Sequence, residues 1–126
     1  MNIDRCGIIL NVCNFDECVH FYKSLFGLKE MFSKTEGNFK LTCLEFGGAY
    51  LMLENQGMAS DSEKSVAQNP TILRFNVKNL EGTYRKILTY DNEATLINND
   101  WGNIVRCIDP DGNPISVRAS SGFLDV

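Results

Sequence analysis

One stretch of this chain is written twice. Gly7-Ile8-Ile9-Leu10-Asn11-Val12, followed by Asn14-Phe15-Asp16-Glu17, returns as Ile72-Leu73-Arg74-Phe75-Asn76-Val77, followed by Asn79-Leu80-Glu81. A shift of about 65 residues lays Leu10 on Phe75, Val12 on Val77, Asn14 on Asn79 and Val19 on Tyr84. Such a repeat restricts the fold, because both copies must take one local structure. Two copies fall short of the roughly three that a stacked solenoid needs. A matched pair closing around one shared cleft is the expected arrangement.

Ile8, Leu10 and Val12 alternate with Gly7, Ile9 and Asn11, the period of a strand covered on one face. Asn14 then offers an N-cap with Glu17 as its box partner, and Phe15, Val19, Tyr22 and Phe26 recur at helical spacing as a buried stripe. Gly27 reads as the glycine that ends this helix. Strands are predicted at Lys29–Lys34, Phe39–Phe46 and Ala49–Glu54, with Gly47-Gly48 turning between the last two. The second copy repeats the order. Thr71–Val77 is a strand, Asn79 caps a helix carrying Leu80, Tyr84, Ile87 and Leu88, and strands follow at Ala94–Ile97, Gly102–Ile108 and Pro114–Arg118. Asp109-Pro110-Asp111-Gly112-Asn113 is a turn whose polar side chains bond their own backbone, a local task and not a catalytic one. The predicted class is α+β: two βαβββ modules, residues 7–54 and 71–119, joined by a polar linker over 55–70 within one domain, 1–126.

The net charge of −4 argues against nucleic acid as a partner, since phosphate backbones are held by basic faces. No apolar run approaches a membrane span, and no signal-peptide core precedes the first strand, so no membrane partner and a cytoplasmic location are expected. Five cysteines without a C-x-x-C pair suit neither a disulfide framework nor a zinc site. Cys13 and Cys107 stand in apolar, strand-like contexts and are expected to be buried structural thiols. His20, the only histidine, lies off the helical stripe and is expected to face solvent. Without it no Ser-His-Asp or Cys-His triad can be assembled.

Several words occur in a fixed order: Phe21-Tyr22 with Leu25-Phe26-Gly27-Leu28, Phe46-Gly47-Gly48 leading to Leu51-Met52-Leu53-Glu54, then Trp101-Gly102, then the Asp109–Asn113 turn. A doubled βαβββ unit carrying them resembles the vicinal oxygen chelate superfamily, which includes glyoxalase, bleomycin-resistance and extradiol-dioxygenase proteins. The resemblance covers nearly the whole chain. It implies a cup-shaped half-barrel from each module, a cavity between the two, and a homodimer. It also implies four metal-ligand positions, which fall here on Gly7, Glu54, Ile72 and Ser116. Glycine and isoleucine offer no side-chain donor and serine is a poor one, whereas catalytic metal sites use about three protein ligands. No metal and no cofactor are therefore expected.

Alternation selects the side chains that share a face with those positions: Ile9 and Asn11, then Tyr50, Met52 and Glu54, then Ile72, Arg74 and Asn76, then Pro114, Ser116 and Arg118. Trp101 adds an aromatic ring that can stack on a planar or cationic ligand, or else cap the core. An apolar and aromatic wall with a few polar groups suits a small organic molecule, bound in the manner of the bleomycin-resistance branch. A second reading leaves an Arg74–Glu54 ion pair filling the same space. Two functional alternatives stand beside sequestration: a glyoxalase-type lyase or isomerase using Glu54 as base, and a regulatory or partner-binding domain with a filled cavity. The ligand's charge is open, since Glu54 favours a cation and Arg74 an anion.

Overall fold

Each copy of the repeat folds as its alternation requires. The computed structural model describes residues 1–125, which divide into two compact units, residues 1–59 and 60–125. The first unit contains strand β1 (Gly7–Asn11), helix α1 (Phe15–Ser24), and strands β2 (Glu30–Glu36), β3 (Phe39–Phe46) and β4 (Ala49–Glu54). The second contains β5 (Leu73–Val77), α2 (Leu80–Ile87), β6 (Thr95–Ile97), β7 (Ile104–Ile108) and β8 (Pro114–Ala119). The sheet orders are β1-β4-β3-β2 and β5-β8-β7-β6. In each, the first strand runs parallel to the last and the other pairings are antiparallel. Two βαβββ modules of one topology therefore form an α+β fold.

In the first unit α1 packs on β3 and β4. Leu51 and Leu53 of β4 and Leu44 of β3 are fully buried on that side. Burying each such side chain contributes roughly 1.5–3 kcal/mol. The buried line of α1 is Cys18, Phe21 and Tyr22, continued by Leu25. It is rotated from the expected Phe15, Val19, Tyr22 and Phe26 stripe, because Phe21 turns inward to meet Tyr22 edge to face at 5.1 Å. Tyr22 also stacks on Phe26 at 6.4 Å. Asn14 makes no side-chain cap bond, so the expected capping box is absent. Asn79 does cap α2, accepting from the Gly82 amide at 3.0 Å.

In the second unit α2 lies on β7 and β8, over a core of Leu73, Ile87, Val105, Ile115 and Val117. β8 is buried along its whole length except Ala119. Cys107 is buried here as expected, but Cys13 is exposed. Cys13 follows the end of β1 in the turn before α1, where the chain leaves the covered face of the sheet.

The polar segment 55–70 is tied to both units. The Gly57 amide donates to the Val12 carbonyl at 3.1 Å, whereas Ser60 donates to the Asp111 carbonyl at 2.9 Å and Lys64 to the Gly112 carbonyl at 2.8 Å. Among the described residues no helix is long and apolar enough to cross a membrane.

Candidate functional site

Each sheet has one face packed under its helix and one face turned the other way. On β1 the second face carries Gly7, Ile9 and Asn11, which pair in register with Tyr50, Met52 and Glu54 of β4. The five expected site residues of the first module thus share one face. Ile9 is 55% exposed, while Tyr50, Met52 and Glu54 are half-buried. Cys43 pairs with Met52 on this face and Phe32 with Cys43. A bulge at β2 sets Met31 beside Phe32, bringing its sulfur 3.9 Å from the Cys43 thiol. Burial pushes that thiol's pKa up, with Arg5 acting the other way. The Tyr50 ring lies directly over Gly7, in the space a β-carbon would take.

The corresponding face of the second sheet is different in kind. Arg74 pairs with Ser116 and Asn76 with Arg118, while Arg106 pairs with Ser116 from the other side. Three arginines therefore share this face. The Arg74 Nε donates to the Ser116 hydroxyl at 3.1 Å. Arg118 is 5% exposed. Its guanidinium sits 5.5 Å from the Trp101 ring and 5.3 Å from the Phe123 ring, a favourable cation–π arrangement on both. Partial burial, and after it the charges of Arg118 and Arg106, hold the Arg74 guanidinium below its usual pKa. Arg106 meets Glu63 at 3.4 Å.

Arg74, Asn76 and Ser116 thus come together, with Ser116 buried as the support of Arg74. Ile72 precedes β5 and is 46% exposed. Trp101 is half exposed, with Arg118 over its ring; one of its faces is already engaged by a cation of the protein itself. His20 is exposed, beside the Ser24 hydroxyl. The roles of Arg106 and Glu63 escaped the sequence reading. The alternation Ile104-Val105-Arg106-Cys107 does place Arg106 away from the core, but Glu63 lies 43 residues earlier in what reads as a solvated loop.

The registers also revise one position. Glu54 stands opposite Asn11 in the first sheet, and Arg118 stands opposite Asn76 in the second. Arg118 is therefore the internal counterpart of Glu54, and Ser116 is the counterpart of Met52. The offset between copies is one residue shorter at the last strands than at the first, so a constant shift cannot reveal this.

Two sheets of this topology, each with a helix on one face, are the βαβββ modules that the resemblance to the vicinal oxygen chelate superfamily implies. No family model and no curated protein matches the sequence. Among solved structures the chain is similar to TnmS3, an antibiotic binding protein from a Streptomyces species, with TM-score 0.71 and 15% identity over 96% of this chain and 99% of that one. It is similar to the trypanothione-dependent glyoxalase I of Leishmania major, with TM-score 0.71 and 14% identity over 98% and 91%. The fosfomycin resistance protein FosX of Mesorhizobium loti gives 0.68 and 9% over 98% and 94%.

The metal ion that the sequence resemblance implies does not fit the residues present. Tyr50 fills the space at Gly7, the Ser116 hydroxyl holds Arg74, and Glu54's counterpart is an arginine. Among the described residues no three His, Cys, Asp or Glu side chains gather as a metal-holding group.

Proposed function

We propose that the protein binds a small organic molecule, without a metal ion, on a sheet face turned away from its helix, and does so as a homodimer. The observation that carries this reading is the Tyr50 ring lying over Gly7, beside Ile9 and Met52 in register. An aromatic and aliphatic surface stands where a metal ligand would project. Such a surface gains affinity by desolvation and needs no transition-state machinery. The likeness to an antibiotic binding protein and to a fosfomycin resistance protein supports the reading and suggests antibiotic-like ligands.

The test is a calorimetric titration with planar and amphipathic compounds, on protein analysed for bound metal. Saturable binding is expected, weakened about tenfold by Tyr50→Ala through lost apolar contact. Chelator is expected to leave thermal stability unchanged, because no metal binding is linked to folding. Absence of saturable binding across the panel would overturn the reading, as would stoichiometric metal whose removal lowers the melting temperature.

A further inference from the structure

The arginine face of the second unit says more about the ligand. Ser116 lies directly between Arg74 and Arg106, and Arg118 follows about 7 Å along the same strand. Among the described residues neither Arg74 nor Arg118 has a carboxylate partner; Arg106 has Glu63, at 3.4 Å. The Arg106 Nε is buried and has no acceptor. Arg118 is nearly fully buried, and its Nε donates only to the Ala119 carbonyl at 3.2 Å. The chain as a whole is acidic, with 16 Asp and Glu against 12 Lys and Arg, so a basic surface is not what composition would scatter onto one sheet face. Gathering like charges, one of them desolvated, opposes folding until a counter-charge arrives.

We propose that this face is an oxyanion site: a small molecule bound on it carries a carboxylate or a phosphoryl group, received by Arg74 in the positive field of Arg106 and Arg118. The inference rests on the small-molecule reading and deepens it. Ser116 fixes the Arg74 Nε and so orients the terminal nitrogens, which form the planar fork that suits bidentate oxyanion recognition. Trp101 and Phe123 hold the Arg118 guanidinium in place, so its charge is positioned before the ligand arrives. Of the two charge preferences left open by the sequence, this face selects the anion.

Calorimetric titration of benzoate, phenylphosphonate, benzamide and inorganic phosphate into wild type, Arg74→Gln and Arg74→Lys tests it. Arg74 is exposed, so both variants are expected to fold. One or both aryl anions should bind about tenfold or more tighter than benzamide, and whichever binds better identifies the carboxylate or the phosphoryl class. Arg74→Gln should lose about tenfold for that anion and nothing for benzamide, Arg74→Lys should recover only part, and added salt should weaken the anion alone. Benzamide binding as tightly as the anions, with Arg74→Gln silent, overturns the oxyanion site and leaves the small-molecule reading standing. Arg74-dependent binding of inorganic phosphate without any aryl compound keeps the oxyanion site and overturns the organic-ligand reading. Failure of all four probes overturns both.

Discussion

Gly7 is a glycine because of a residue 43 positions away. A β-carbon there would overlap the Tyr50 ring, the in-register partner on β4. Gly7→Ala should therefore displace the ring and cost about 1–3 kcal/mol, as overpacking does. In a Tyr50→Ala background the same change should be neutral or stabilising, since alanine is the better strand residue once there is room. Denaturant melts of the four proteins give the coupling; an equal cost in both backgrounds would acquit the ring. Cys107 offers a second test. Burial, and then the charges of Asp91 and Asp109, push its thiol up from the usual 9.0 to about 12, with Arg106 opposing. Between those values the folded chain keeps a proton that the unfolded chain has released, so stability falls as pH rises. The contribution is complete below 9.0 and is lost toward 12, at up to about 1.4 kcal/mol per pH unit. Melts across this window should show a shallower decline for Cys107→Ala than for wild type. Parallel declines would remove the thiol as the cause.

The turn between β7 and β8 organises its unit. Asp109 Oδ1 accepts the Asp111 and Asn113 amides, both at 2.9 Å, and Oδ2 accepts the Asn113 side-chain amide at 2.9 Å. The outer side of the turn then binds the incoming chain. Lys64 Nζ and Asn69 Nδ2 both donate to Asn113 Oδ1, at 3.0 and 2.9 Å. Gly112 has φ +85°, and a β-carbon on it would overlap the Ser62 carbonyl oxygen. Gly112→Ala is expected to cost more than about 1 kcal/mol from backbone strain alone, and to free residues 60–69 along with the turn. Hydrogen exchange should show protection lost at Ser60 and Lys64 together with Gly112. Loss confined to the turn would mean that the segment is held by something else.

For the molecule as a whole, the proposed homodimer is the property most open to direct measurement. Exposed apolar side chains stand on or beside the sheet faces, with Ile9 at 55%, Phe32 at 48% and Ile72 at 46%. They are candidates for cover by a second copy or by ligand. Light scattering at micromolar concentration should give about twice the 14.2 kDa chain mass. A mass of one chain throughout that range would refute the dimer.

The elements and their faces were legible from residue order. Alternation separates Leu51 and Leu53 from Tyr50, Met52 and Glu54 without reference to any other strand, because the side-chain period of a strand is local. The repeat likewise carried the topology, since equal patterns fold equally. The helix face was read less well. Apolar residues crowd α1 on adjoining positions, and only packing chose Cys18 and Phe21 over Phe15 and Val19. What no linear reading supplies is register. The place of Arg118 as counterpart of Glu54, the Tyr50 ring over Gly7, and the meeting of Arg74, Arg106 and Arg118 around Ser116 all depend on which residues stand opposite across strands far apart in the chain. Hydrogen-bonded pairing sets that relation non-locally, and a one-residue change in offset reassigns every partner. The sequence therefore indicated a candidate binding face and left its charge undecided, and cross-strand pairing gathered the positive groups on one side of the second sheet.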